Sequence, residues 1–202
     1  MGGTRRVVLV GPMAVGKSAV GRLVAQSSGA AFLDSDRMIV ERYGRISDIF
    51  ATRGEQGFRD LEAGVVREAL EAEDVVVSLG GGAVLHRDTQ ELLRRAEVVF
   101  LDTDLASVRP RIIGDTGRPL LADRPEDRWQ QLYDERRPLY EALATTVLDT
   151  RGRSVRACAE AVLAYLREHT VQTEALQEHD VTATVPRAPA DRHPDRIRST
   201  KA

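Results

Sequence analysis

The residues best placed to do chemistry lie in Gly11-Pro-Met-Ala-Val-Gly-Lys17-Ser18, directly after the apolar run Val7-Val8-Leu9-Val10. The pattern G-x4-G-K-S is that of a loop wrapped around a polyphosphate. Its two glycines let backbone N–H groups turn inward, and the helix that starts near Lys17 adds the positive end of its dipole. Lys17 can reach the β- and γ-phosphates, and Ser18 can offer a hydroxyl to Mg²⁺. Of the 29 basic residues 27 are arginine, and the only lysine besides Lys17 is Lys201. The loop therefore holds the single compact ammonium in the body of the chain, although a general bias toward arginine also accounts for the scarcity.

Two further groups belong with the loop. Leu33-Asp34-Ser35-Asp36 follows a short apolar run and sets two carboxylates at what would be the carboxyl edge of a sheet, where open α/β sheets bind ligands. In an extended segment, alternation points Asp34 and Asp36 the same way, so that they divide metal and substrate duties. Aspartate is also a favoured helix cap, which gives Asp36 a competing role at the start of a helix near Arg37. Ser78-Leu79-Gly80-Gly81-Gly82 closes another apolar run, and three glycines in a row let bare backbone approach a ligand closely.

The elements that must position these residues follow from periodicity. Short apolar runs at Arg5 to Val10, Ala31 to Leu33, Val75 to Leu79, Val98 to Leu101 and Thr146 to Leu148 alternate with helical patterns. That is the signature of an α/β domain with a five-stranded, largely parallel sheet between helical layers. Between the second and third runs, Phe58, Leu61, Val65, Ala69 and Leu70 recur at helical spacing, and this face is expected to pack inward. Gly114 to Pro125 carries two glycines and two prolines in twelve residues, which reads as a mobile loop. From Thr170 the chain turns polar, with five acidic and five basic residues and little to bury. A disordered tail over 170–202 is expected there, with helix persisting to about His179.

At 202 residues and 42% apolar content the chain suits one domain, here 1–169. A net charge of -2 gives no bulk attraction to nucleic acid. Cys158 is the only cysteine and reads as a small core residue, not a nucleophile or metal ligand. With no signal sequence at the amino terminus and no membrane-length apolar run, the expected setting is the cytoplasm. The absence of a heptad or an extra apolar face favours a monomer.

Taken in order, G-x4-G-K-S, the Asp34/Asp36 pair, Phe58-Arg59, Gly80-Gly81-Gly82, Arg118-Pro-Leu-Leu and Arg136-Arg-Pro-Leu-Tyr140 resemble the shikimate kinases. These belong to the P-loop proteins with a nucleoside-monophosphate-kinase-like fold, and the resemblance covers about residues 5 to 168. It implies ATP-dependent phosphorylation of the 3-hydroxyl of shikimate, a step of chorismate biosynthesis, with Mg²⁺ as the cofactor. Gly11, Ala14, Val15, Gly16, Lys17, Ser18 and Ala19 would then contact ATP, with Arg111 and Arg153 nearer the adenine. The metal would fall to Ser18 and Asp34, the latter through water. Asp36 would take substrate hydroxyls, Arg59 and Arg136 the substrate carboxylate, and Gly80, Gly81 and Gly82 would line the pocket. Arg118 would ride on a lid, about 114–125, and reach the phosphates as an arginine finger, which makes Lys17, Asp36 and Arg118 the catalytic set.

Some positions depart from the family pattern. Ala14 and Val15 replace smaller glycine or serine residues, Ala19 replaces a common threonine, and Arg151-Gly-Arg-Ser-Val155 lacks an expected proline. Two other readings stay open at this point. One is a related small-molecule kinase, such as a gluconate kinase, with a different acceptor. The other is a catalytically silent P-loop protein that uses its tail to bind a partner.

Overall fold

Each apolar run becomes a strand. A computed structural model describes residues 5–113 and 124–182, and in it β1 (Arg6–Val10), β2 (Ala31–Asp34), β3 (Val75–Ser78), β4 (Glu97–Asp102) and β5 (Thr146–Asp149) form one sheet in the order β2-β3-β1-β4-β5. Every neighbouring pair is parallel, with Val8 opposite Val77 on one side and Val98 on the other. Between them run α1 (Lys17–Ser28), α2 (Ser35–Tyr43), α3 (Ile46–Glu71), α4 (Arg87–Leu93), α5 (Leu105–Ile112), α6 (Pro125–Leu143) and α7 (Val155–Thr182), with a 3₁₀ turn at Ala83–Leu85. The architecture is the expected α/β one, and the sheet is parallel throughout.

Burial explains the composition of the strands. β1 and β3 are buried over almost their whole length, whereas β5 lies at the sheet edge and alternates between partial burial and exposure. The main core joins Val8, Val10, Val77, Leu79 and Phe100 of the sheet region to Trp129, Tyr133 and Tyr140 of α6. A second cluster of Ile39, Ile49, Phe58 and Val65 fastens α2 to α3. The predicted inward face of α3 is buried at Phe58, Val65, Ala69 and Leu70, with Leu61 partly so. Helix α3 is interrupted at Gly54, where φ is 68° and ψ is -178°, a left-handed break that periodicity does not reveal.

Chain contacts separate a compact unit, Met1–Tyr165, from a second, Leu166–Ala202. Within the stretch expected to be a tail from residue 170, the backbone stays helical to Thr182, and 183–202 lie outside the described residues. Residues 114–123 also lie outside them, and with these Arg118 and most of the expected lid. Among the described residues no helix is long and apolar enough to cross a membrane.

Parallel strands have one consequence for function. The carboxyl ends at Val10, Asp34, Ser78, Asp102 and Asp149 all lie along a single edge, and the candidate site is assembled there.

Candidate active site

The phosphate loop is shaped by backbone strain and close approach. Gly11 has φ 140°, and a Cβ on it would lie 2.5 Å from the Leu101 carbonyl oxygen of β4, so no side chain fits. Ala14 at φ 64° and Gly16 at φ 108° complete the turn. The Gly16 carbonyl then accepts from the amides of Ala19 and Val20, both at 3.0 Å, which starts α1. Lys17 is buried and curls back over the loop, its Nζ donating to Gly11 O at 2.8 Å and Pro12 O at 2.9 Å. From α5, Arg111 Nη1 donates to Ala14 O at 2.6 Å. Val15 is buried under the turn, and Ala19 is exposed in the first turn of α1. Arg153 is exposed after β5, its amide bonded to Thr150 O at 3.1 Å, and no hydrogen bond or ion pair joins it to the loop among the described residues.

Beside the loop three oxygens converge. Ser18 Oγ donates to Asp34 Oδ2 at 2.6 Å and lies 3.3 Å from Ser78 Oγ, which sequence reasoning had not singled out. Two hydroxyls and one carboxylate form a hard, all-oxygen donor set. That suits Mg²⁺, which takes one or two carboxylates and leaves its other positions to water and phosphate. Asp34 also accepts from Arg37 N at 3.2 Å through Oδ1 and so caps α2. Here the sequence expectation needs correction: the extended segment ends at Asp34, and Asp36 lies in the first turn of α2. The competing capping role belongs to Asp34 and not to Asp36.

Asp36 nevertheless faces the glycine segment. A Cβ on Gly80 would lie 2.5 Å from both Asp36 Oδ1 and Glu62 Oε1, so two carboxylates flank one Cα. The Gly80 amide is fixed by Ser35 Oγ at 2.9 Å. A Cβ on Gly81 would come within 3.4 Å of Met13 N, which seats the segment on the phosphate loop. A Cβ on Gly82 would overlap the Arg59 guanidinium. Gly82 has φ -104°, open to any residue, so glycine is needed there for space alone.

Arg59 and Arg136 are 6% and 4% exposed, and the Nε of each is buried with no hydrogen-bond partner. Arg59 donates from Nη1 to Glu62 Oε2 at 2.5 Å and from Nη2 to Glu55 at 3.4 Å, and it lies over the Phe58 ring. Burial holds the Arg136 guanidinium below its usual range; the Tyr140 hydroxyl opposes this and the nearby charge of Arg59 adds to it. Two buried cations that repel each other, each with an unused donor, form a receptor for an anion with two oxygens. Arg137, by contrast, is exposed and paired with Glu141 at 2.9 Å and Asp102 at 3.4 Å.

Glu62 is the chief residue that motif reading passed over. It is 1% exposed, and its Oε1 has no hydrogen-bond partner. Burial pushes its carboxyl up to about 7 against the pull of Arg59, and the charge of Asp36 adds to the rise. One signal was available in the sequence: Glu62 is three residues beyond Arg59, on the same helix face, among residues predicted to be apolar and buried. Tyr140, whose hydroxyl donates to Gly81 O, was likewise visible only as part of a motif.

The chain has relatives among known proteins. The family model described as "Shikimate kinase" matches residues 13–167. The shikimate kinase of Streptomyces coelicolor is 45% identical over 158 residues, which cover 78% of this chain and 92% of that protein. Among solved structures, shikimate kinase from Acinetobacter baumannii in complex with shikimate has a TM-score of 0.80 at 35% identity, covering 83% of this chain and 95% of that one. A gluconokinase from Sinorhizobium meliloti, at 19% identity and a TM-score of 0.61 over 86% of this chain and 97% of its own, shares the fold alone.

Proposed function

Because this chain belongs to the shikimate kinase family and transfers the γ-phosphoryl group of ATP to the 3-hydroxyl of shikimate, we propose the following division of labour among its residues. The observation that carries it is the pair of buried arginines, Arg59 and Arg136, each with an unpartnered Nε, beside Asp36 and the glycine segment that rests on the phosphate loop.

Arg59 and Arg136 hold the shikimate carboxylate, and their planar forks match its two oxygens better than ammonium groups would. Gly80, Gly81 and Gly82 line the pocket with backbone, and Asp36 orients the attacking hydroxyl and accepts its proton. On the other side of the loop, amides from Gly11 to Ala19 cradle the phosphates. Lys17 leaves its two carbonyl partners to neutralise charge on the β- and γ-oxygens. Ser18 and Asp34 would hold Mg²⁺, which when bound supplies charge neutralisation and alignment of the phosphates. Arg118 adds positive charge as transfer proceeds, Arg111, already on Ala14 O, contacts the nucleotide, and Arg153 is assigned to the adenine side by the family resemblance alone.

Action as a monomer, in a cytoplasmic setting with access to ATP, is part of the same reading. The test is Mg²⁺-dependent ADP release with shikimate, quinate, gluconate and nucleoside monophosphates as acceptors. Turnover confined to shikimate is expected. Preferred turnover of another acceptor would overturn the pocket assignment while leaving the phosphate loop in place.

A further inference from the structure

One face of α6 touches several parts of the site, at positions 129, 133, 136 and 140, a spacing of four, three and four residues that keeps them on one stripe. Arg136 and Tyr140 belong to the acceptor pocket. Trp129 and Tyr133 have no place in the chemistry described so far. Trp129 is 1% exposed, and its Nε1 donates to Met13 O of the phosphate loop at 2.9 Å. Its ring stacks on Tyr133, with centroids 5.1 Å apart and planes 12° from parallel. Tyr133 in turn donates to Asp102 Oδ1 at 2.5 Å, at the end of β4, and the same oxygen accepts from Thr103 N at 2.9 Å. A chain of contacts thus runs from the sheet edge through two rings to a single carbonyl of the loop.

That carbonyl matters because a trans peptide is planar, with its C=O and N–H pointing in opposite directions. Holding Met13 O toward α6 turns the Ala14 N–H away from α6. On the far side of the next peptide, Arg111 holds Ala14 O at 2.6 Å and fixes the Val15 N–H in the same manner. Ala14 has φ 64°, a left-handed conformation that an alanine does not adopt without support, and it is supported on both sides. The support is directional: on each side of Ala14 a side-chain donor takes the carbonyl oxygen of one peptide, Trp129 that of Met13 and Arg111 that of Ala14.

We propose that Trp129 is a positioning residue for the nucleotide: its indole N–H, braced by Tyr133 on Asp102, sets the peptide plane that aims the Ala14 amide at the phosphates. The inference rests on assigning residues 11–18 to ATP.

The test uses the full chain and two variants. Trp129→Phe keeps a ring to stack on Tyr133 and loses the donor. Its KM for ATP and its Kd for ADP are expected to rise roughly fivefold to tenfold, as for one hydrogen bond removed, with the KM for shikimate within about twofold of the parent. Tyr133→Phe keeps the indole bond and loses the brace, and it should lower Tm with a smaller rise in the KM for ATP. An unchanged KM for ATP in Trp129→Phe overturns the proposal, and so do equal changes in both KM values, which would indicate loosened packing. Trp129 is also the only tryptophan, so emission from the unmodified protein reports on it if the variant does not fold. A saturating change on titration with ADP supports the proposal. ADP binding seen by calorimetry with no change in emission overturns it, and no ADP binding at all overturns instead the assignment of the loop.

Discussion

Replacing Gly82 by alanine isolates the role of Arg59 without touching a charge. The backbone at Gly82 has φ -104° and ψ -3°, so alanine is sterically allowed and no strain arises in the main chain. The three atoms nearest the added methyl all belong to the Arg59 guanidinium, the far end of a flexible side chain, which must retreat by about an ångström to restore a normal contact. Arg59 is bonded through Nη1 to Glu62, so it moves as part of a buried pair. A charge-assisted bond to a carboxylate contributes about 1.5–3 kcal/mol. Its loss corresponds to a rise in the KM for shikimate of roughly 10- to 100-fold. The KM for ATP should stay close to that of the parent, because the nearest loop contacts run through Gly81. Gly64→Ala is the control: it lies on the same helix with open space around its Cβ position, and it should leave both KM values unchanged while stabilising the helix by up to about 1 kcal/mol. Steady-state rates with shikimate varied at saturating ATP, together with a melting curve, decide the matter. If Gly82→Ala kept the parental KM for shikimate, Arg59 would not hold the carboxylate from its observed position.

The remaining predictions concern protons, charge and metal. Burial raises the Glu62 carboxyl from 4.5 to about 7, so the folded state binds the extra proton within that window. The associated stability is fully present below about pH 4.5 and is lost as pH rises through about 7. Across the window the parent should lose roughly 3 kcal/mol relative to Glu62→Gln, and parallel melting profiles from pH 4.5 to 8 would contradict this. Arg118→Ala should lower kcat by more than it raises the KM for shikimate, and an unchanged kcat removes the finger role. Chelation of divalent cations should abolish turnover, and Mg²⁺ should restore it. In Ser18→Ala the restoring concentration should shift upward, and an identical Mg²⁺ titration would take Ser18 out of the metal site.

Much of the fold was legible because parallel strands buried on both faces leave uninterrupted runs of valine and leucine. The predicted limits of all five strands differ from the observed ones by one residue at an end, and those of β4 by one residue at each end. Residues fixed by backbone demands were also legible: Gly11 and Gly16 need left-handed or crowded conformations, and no other residue type serves. Periodicity fails where local geometry changes over one or two residues. Asp34 and Asp36 look equivalent in an extended segment, but the strand gives way to α2 between them, and capping falls to the first. The break at Gly54 is similarly invisible, since a glycine inside a helical pattern has no distinguishing mark. Glu62 and Trp129 were passed over for a different reason. Each sits on the buried face of a helix: the meaning of Trp129 comes from a partner distant in sequence, which no spacing rule records, and that of Glu62 from a charge on a face otherwise read as apolar, three residues beyond Arg59.

The two halves of the site are built in different ways. On the nucleotide side the loop is seated closely on main chain, Gly11 against the Leu101 carbonyl and Gly81 against Met13 N, and side-chain donors from α5 and α6 hold its carbonyls. On the acceptor side, the recognition proposed above rests on the tips of side chains from α2, α3 and α6, namely Asp36, Arg59 and Arg136. Substitution at those three positions leaves the backbone seam of the loop intact, whereas a side chain at Gly11 cannot be absorbed at all. On that proposed division the phosphate donor is fixed and the acceptor is open to revision, so new specificity can arise by point mutation at the helix positions that do not touch the loop.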